Sequence, residues 1–269
     1  MTCAFVLPGG ASLGAVQVGM LEALLEAGIT PDFIVGTSAG ALNGCWLAGH
    51  PDVDGVAELR QLWKSVRRKD VFPLSPLGAV RALAGRRDHV VSAGRLERWL
   101  SERVPFQRLE DATVPLHVMA TDLMTGEPVV LSTGDIVAAL LASTAMPGIF
   151  PPVSIDGRLL VDGGVTSDTP VPEAVQLGAD VIYVLPTVGV ERGSRPRSAP
   201  GVALLALAHM LGHASDSEVA ASAATTTVYV APAPATGSIS PFNFDHSEEL
   251  MDTGFAATRA WLADPVPVV

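Results

Sequence analysis

Apolar and polar residues fall in distinct blocks along this chain. Ala4-Phe5-Val6-Leu7 is a short apolar run stopped by Pro8-Gly9-Gly10, the pattern of a buried strand. From Gly14 to Ala27 the apolar positions Val16, Met20, Leu21, Leu24 and Leu25 follow a helical period, and Gly28 suits the C-terminal cap. Asp32-Phe33-Ile34-Val35 reads as a second buried strand, and Ala39 to Ala48 as a helix. Strand, loop, helix, strand, turn, helix is how a parallel sheet covered by helices begins.

The later blocks continue the theme. Asp52 to Val71 reads as a helix, Pro73 to Arg87 as a loop or short-helix region, and Gly94 to Arg103 as a helix with Leu96, Trp99 and Leu100 on its apolar side. Val114 to Ala120 and Pro128 to Ser132 read as strands, and Asp135 to Ala142 as a short apolar helix. Leu159-Leu160-Val161 is a strand that delivers Asp162. Val171 to Leu177 is a helix, and Asp180 to Leu185 a strong strand. Residues 189–200, rich in Gly, Ser, Arg and Pro, form an expected exposed loop. A long helical stretch (Val202 to Ala224), a strand (Thr226 to Val230) and a final helix (Ser247 to Leu262) complete the chain, with no internal repeat. At 269 residues this suits one α/β domain spanning 1–269.

Composition narrows the function. Charged residues are only 17% of the chain, which argues against extended disorder. The net charge of -11 disfavours nucleic acid as a partner. Yet twelve of the 17 Lys and Arg lie between Arg60 and Arg108, against four acids, a local balance of +8. Either these cations pair with acids elsewhere, or a face built around Arg67, Arg68, Lys69, Arg86 and Arg87 makes peripheral contact with an anionic membrane. Cys3 and Cys45 offer neither metal spacing nor a disulfide framework. No signal peptide is evident, and the longest apolar stretch, Val202 to Met210, falls short of the ~20 residues that span a bilayer. The expectation is a cytoplasmic protein.

Three segments carry chemistry. Gly36-Thr37-Ser38-Ala39-Gly40 fits G-x-S-x-G between an expected strand and helix, the context of a nucleophile elbow. Gly36 and Gly40 are needed there because Cβ atoms beside the serine would meet the strand and the helix. Pro8-Gly9-Gly10-Ala11-Ser12-Leu13-Gly14 is a Gly-rich loop that lacks the Lys of a phosphate loop and the first Gly of a dinucleotide fingerprint. It can be a plain tight turn, or an oxyanion hole with N–H donors from Gly9, Gly10 and Ala11. Asp162-Gly163-Gly164 sets an aspartate at a strand end before two small residues, a pattern also common in simple turns.

Taken together these segments resemble the patatin-like phospholipase family, most strongly over residues 4–186. That family joins a Gly-rich loop after its first strand, a G-x-S-x-G serine and a downstream D-G-[GA] aspartate. The stretch Ala142 to Pro152 also resembles the family's segment before that aspartate. The resemblance implies an α/β three-layer sandwich, with a mostly parallel central sheet and helices on both faces. It also implies Ser38 as nucleophile, Asp162 as its proton acceptor, an acyl lipid or other ester as substrate, and no metal or organic cofactor. Two departures stand out. The family's third loop glycine is Ala11, whose N–H remains a donor if its φ is negative, and the family's basic residue is Leu13. A position often held by Asn is Ser167.

Other readings share these residues. A Ser-Asp-His triad would recruit His209, His213 or His246, although the nucleophile comes early for an ordinary α/β-hydrolase. His50 and His89 fall in polar loops and His117 in a strand. An acyl-Ser38 could pass to an alcohol or thiol, giving an acyltransferase or thioesterase, and a catalytically weak interaction module is a third possibility.

Overall fold

A computed structural model of the chain describes residues 1–73, 88–187, 214–234 and 239–268. The strands are β1 (Cys3–Leu7), β2 (Phe33–Thr37), β3 (Leu116–Asp122), β4 (Pro128–Leu131), β5 (Val153–Ile155), β6 (Arg158–Asp162), β7 (Val181–Val184) and β8 (Thr227–Val230). The helices are α1 (Ala15–Glu26), α2 (Ala39–Gly49), α3 (Val53–Ser65), α4 (Arg68–Val71), α5 (Gly94–Ser101), α6 (Ile136–Ser143), α7 (Val171–Gln176), α8 (214–223 as described) and α9 (Ser247–Trp261). The expected loop over 189–200, most of the segment 73–87 and the first part of the helical stretch 202–224 lie outside the described residues.

The expected three layers are present, around a mixed sheet. β1 pairs in parallel with β2 and β7, β2 with β3, and β7 with β8, whereas β4, β5 and β6 pair antiparallel. Short connections make the antiparallel part. β5 and β6 are joined only by Asp156-Gly157, both at positive φ (50° and 78°), a tight hairpin turn. That Asp-Gly pair is a strong hairpin signal, and β5 was not among the strands expected from the apolar pattern.

Period-two alternation sends the sheet's side chains to two cores. Phe5, Leu7, Ile34, Leu116 and Val118 face the larger one, beneath α1, α2, α3, α6 and α9. Ala4, Val6, Phe33, Val35, Met119 and Ile182 face the other, where Val171 and Ala174 of α7 and Val219 of α8 cover them. Every one of these sheet residues is 6% exposed or less, so both faces exclude water, as a parallel core requires.

Pairing along β3 fixes where the site forms. Ala120 and Thr121 pair with β4 and also with β6, so these two strands lie on opposite edges of β3. Val118 and Met119 pair with β4 and also with β2, so β2 and β6 share the other edge, end to end. Thr37, the last residue of β2, sits opposite Met119, and Asp162, the last residue of β6, opposite Ala120. The residue after Thr37 therefore meets Asp162.

The helix expected over Asp52 to Val71 divides. Asp52 caps α3 through its side chain on the Gly55 N–H at 2.7 Å. Val66 and Arg67 are extended, because Val66 turns into the core and Asp70 accepts the Arg67 N–H at 3.0 Å, starting a new turn.

α1 and α9 cross at glycines. A Cβ on Gly19 would lie 1.9 Å from the Met251 carbonyl oxygen, and one on Gly254 would lie 2.4 Å from that of Val16. Both obstacles are backbone, so neither can swing aside. Gly19→Ala and Gly254→Ala should each destabilise the fold by about 3 kcal/mol, as overpacking does. Urea unfolding checks this, and an unchanged midpoint would refute the close crossing.

Candidate active site

Ser38 sits between β2 and α2 with φ 52° and ψ -119°, a conformation that costs about 1–3 kcal/mol for a residue with a side chain. The surroundings hold it there. Its N–H donates to Ser143 Oγ at 2.9 Å, and Thr37 Oγ1 donates to the Ser167 carbonyl at 3.0 Å. The flanking glycines leave no room for a Cβ: on Gly40 it would lie 1.9 Å from the Leu7 carbonyl oxygen, on Gly36 2.7 Å from Ala41 Cα. The N-terminus of α2 starts at the serine, so its unpaired N–H groups favour negative charge beside Ser38.

Asp162 is buried at the end of β6. Its Oδ2 accepts the Ser38 hydroxyl at 2.8 Å, and its Oδ1 accepts the Gly164 N–H at 2.9 Å. Burial pushes its carboxyl from 3.8 up to about 7; the Gly164 N–H and Ser38 hydroxyl pull the other way, and the charge of Asp168 adds a smaller push upward.

The loop from Pro8 to Gly14 is tied down by a buried polar network absent from the reading of the sequence. Gln17 Nε2 donates to the carbonyls of Pro8 (2.9 Å) and Leu185 (3.0 Å). Asn43 Nδ2 donates to the Gly14 carbonyl and to Gln17 Oε1, and Trp63 Nε1 donates to Asn43 Oδ1. Both carbonyl ends of the loop are thus fixed by side chains with 0% exposure. Their helical spacing, 17 on α1 and 43 on α2, is indistinguishable in sequence from surface polar positions.

The three expected donors differ in what they face. The Gly9 N–H hydrogen-bonds the Asp168 carboxylate. The N–H groups of Gly10 and Ala11, at the start of a short 3-10 turn, bond no other described residue. Ala11 has φ 50°, so the negative φ considered from the sequence does not occur. The turn needs the left-handed region that the family's glycine would enter freely, and the alanine bears about 1 kcal/mol of strain instead. Leu13 packs against the larger core.

Asp168 is a neighbour that the motifs missed. A Cβ on Gly9 would lie 2.7 Å from its Oδ1, and a Cβ on Gly164 would lie 3.1 Å from the same atom and 3.2 Å from Asp162 Oδ1. Glycine at 9 and 164 therefore leaves space for a second carboxylate beside the first. Burial raises the Asp168 carboxyl to about 6, against the pull of the Gly9 N–H. Its only signal in sequence is an acid in an otherwise uncharged stretch, Val165 to Pro172, just past Asp-Gly-Gly. Ser167 is buried, and its hydroxyl donates to Glu173 at 2.9 Å.

The described histidines lie elsewhere. His246 pairs with Glu249, His89 with Asp88, His117 with Ser132, and His50 stands against Trp46. None of these four bonds Ser38 or Asp162, and His209 and His213 lie outside the described residues. In the basic segment Arg60, Lys64, Arg103 and Arg108 form ion pairs, while Arg86 and Arg87 lie outside the described residues. Among the described residues no His, Cys, Asp and Glu cluster could hold a metal ion, and no helix is long and apolar enough to cross a membrane.

A strained serine on a strand-to-helix turn, facing a buried aspartate below a glycine loop, on a three-layer α/β frame, defines the patatin-like class of fold. The family model described as patatin-like phospholipase matches residues 5–175, and the chain belongs to that family. An NTE family protein of Mycobacterium tuberculosis (strain H37Rv) is 30% identical over 200 residues, covering 74% of this chain and 52% of that protein. Lysophospholipase nte1 of Aspergillus terreus is 29% identical over 194 residues, covering 67% of this chain and 11% of that protein. The chain thus spans about half the length of the mycobacterial relative and a smaller share of the fungal one. Human GIVD cytosolic phospholipase A2, solved in complex with methyl gamma-linolenyl fluorophosphonate, shares the fold with a TM-score of 0.51 at 12% identity, covering 97% of this chain and 57% of that one.

The raised carboxyl has a cost for stability with a definite sign. A folded-state pKa above the ordinary 3.8 means the folded chain holds the proton more tightly. The carboxyl costs nothing below pH 3.8 and lowers stability increasingly as pH rises to about 7, by at most ~4 kcal/mol. Asp162→Asn, which keeps the shape and both hydrogen-bond partners, should therefore be more stable than wild type at pH 8 and equal to it near pH 4. Urea unfolding at both pH values checks this, and a variant less stable at pH 8 would contradict it.

Proposed function

We propose that this chain is a serine acyl hydrolase that cleaves carboxylic esters of phospholipids or other acyl lipids through Ser38 and Asp162. The observation that carries the reading is the 2.8 Å hydrogen bond from Ser38 Oγ to a buried carboxylate whose pKa is lifted to about 7. Membership of a phospholipase family supports the substrate class.

An ordinary aspartate is too weak a base to take a hydroxyl proton efficiently. Lifted to about 7, Asp162 still carries charge at neutral pH and holds a proton far better. Ser38 Oγ attacks the ester carbonyl carbon while its proton passes to Asp162 Oδ2. The carbonyl oxygen becomes an oxyanion, for which the donors in this reading are the Gly10 and Ala11 N–H groups, which bond no other described residue, and the N-terminus of α2. The intermediate collapses, the C–O bond breaks, and the leaving alcohol takes the proton from Asp162. Water then attacks the acyl-Ser38 carbonyl and gives its proton to Asp162. Collapse returns that proton to Ser38 and releases the carboxylic acid.

Ser38→Ala should lower ester turnover by at least 10³-fold in a protein that still unfolds cooperatively, since alanine removes the attacking oxygen and one hydrogen bond to Asp162. Wild-type-like turnover on a p-nitrophenyl ester would end the proposal. Asp168→Asn retains an acceptor for the Gly9 N–H and removes a charge beside Asp162. The acid limb of the pH–rate profile should move to lower pH, because one upward push on the Asp162 pKa is gone. A limb that stays or moves to higher pH would refute that role of Asp168.

A further inference from the structure

Each peptide group at the start of the glycine loop is held by its carbonyl. In a planar trans peptide the C=O and the N–H point in opposite directions, so a partner on the carbonyl also aims the N–H. The Pro8 carbonyl accepts Gln17 Nε2 at 2.9 Å, and the N–H of the same peptide, on Gly9, hydrogen-bonds Asp168. The Gly10 carbonyl accepts the Leu13 N–H at 3.0 Å within the 3-10 turn, which directs the Ala11 N–H. The peptide between these two joins the Gly9 carbonyl to the Gly10 N–H. Its carbonyl accepts the Thr187 hydroxyl at 2.7 Å, and its N–H bonds no other described residue. We propose that Thr187 is a positioning residue of the active site, holding the Gly10 N–H in the direction of an oxyanion donor. The proposal rests on the hydrolase reading above and adds to it a residue outside the sequence motifs.

Thr187 is itself fixed just past β7. The Leu185 N–H donates to the Val6 carbonyl at 2.9 Å, and the Leu185 carbonyl accepts Gln17 Nε2 at 3.0 Å. Pro186 follows, with its φ locked by its ring. Because Gln17 Nε2 also holds the Pro8 carbonyl, the chain leaving β7 and the start of the loop are tied to the same nitrogen.

The peptide that Thr187 grips has glycine on both sides, so no Cβ restrains its rotation and an unheld N–H would turn away at little cost. The threonine also presses on it. A Cβ on Gly10 would lie 2.6 Å from Thr187 Cγ2 and 2.7 Å from Thr187 Oγ1. On the other side the loop stands against the nucleophile, since a Cβ on Gly9 would lie 3.4 Å from Ser38 Cβ. A hydroxyl that fixes this one peptide therefore acts beside the reacting serine without touching the substrate.

The test compares Thr187→Val, which keeps the shape and removes the hydroxyl, with Thr187→Ser, which keeps the hydroxyl. Thr187 is half-buried, and Thr187→Ala serves as a further hydroxyl-free variant that adds no bulk. On a p-nitrophenyl ester, Thr187→Val and Thr187→Ala should lower kcat by about 10- to 100-fold with KM nearly unchanged, less than outright loss of a donor causes. Thr187→Ser should stay close to wild type. An alkyl trifluoromethyl ketone separates positioning from plain support of the fold. Ser38 Oγ adds to its carbonyl carbon, the hydroxyl proton passes to Asp162, and the ketone oxygen becomes an oxyanion with no leaving group expelled. In Thr187→Val its inhibition constant should weaken by the same factor as kcat, whereas that of the corresponding alcohol, which forms no oxyanion, should not change. Ketone and alcohol weakened alike, wild-type turnover in folded Thr187→Val, or Thr187→Ser as slow as Thr187→Val would each overturn the proposal and leave the hydrolase reading standing. A wild-type protein that neither hydrolyses the ester nor binds the ketone would sink the hydrolase reading, and the proposal with it.

Discussion

Everything at the site depends on one edge of β3. That edge pairs first with β2 and then with β6, running in opposite directions and meeting between Met119 and Ala120. Two segments more than 120 residues apart in sequence thereby end at one point, and the 2.8 Å contact between Ser38 and Asp162 follows from register. A slip of one residue in either strand would turn the side chain to the other face of the sheet. The register is correspondingly secured. Thr121 Oγ1 donates to the Asp162 carbonyl at 3.0 Å, and Gly163 lies so close to β3 that a Cβ would come within 2.6 Å of the Met119 carbonyl oxygen.

The second demand is electrostatic. In the proposed mechanism a carboxylate takes the proton that imidazole would otherwise take, so it has to be more basic, and burial raises the Asp162 carboxyl at the expense of stability. The fold offsets the cost locally, with the Gly164 N–H and the Ser38 hydroxyl on Asp162 and the Gly9 N–H on Asp168. Strain is concentrated in the same place, at Ser38 and Ala11, and the surrounding cores supply the stability that permits it. Asp168 joins the two halves of the site, since it touches the glycine loop on one side and the aspartate turn on the other. The family's usual cation is absent at Leu13, so the charge balance around Ser38 is set by these acids and by backbone N–H groups.

Much of this was legible in the sequence because its signals are local. Gly36, Ser38 and Gly40 occupy fixed offsets in a tight turn, Pro8 to Gly14 interrupts a strand-to-helix pattern, and Asp162 precedes two glycines. The apolar runs located seven of the eight strands among the described residues. β5 escaped because it has three residues, although Asp156-Gly157 announced its hairpin. The break at Val66 escaped because the apolar period runs through it, and only the turn formed by Asp70 and Arg67 resets the helix. The shared edge of β3, the Gln17–Asn43–Trp63 network and Asp168 are tertiary facts. Their residues carry no distinguishing spacing, and their meaning arises only when distant segments meet.

The central claim is that Ser38 attacks and Asp162, with a pKa near 7, takes its proton. The most direct measurement is the pH dependence of covalent labelling by a fluorophosphonate ester, with the adduct located by mass spectrometry of the digested protein. The account predicts a single adduct on Ser38, formed at a rate that rises through pH 7 and becomes slow at every pH in Asp162→Asn. An adduct on another residue, or a labelling rate that Asp162→Asn leaves unchanged, would contradict it.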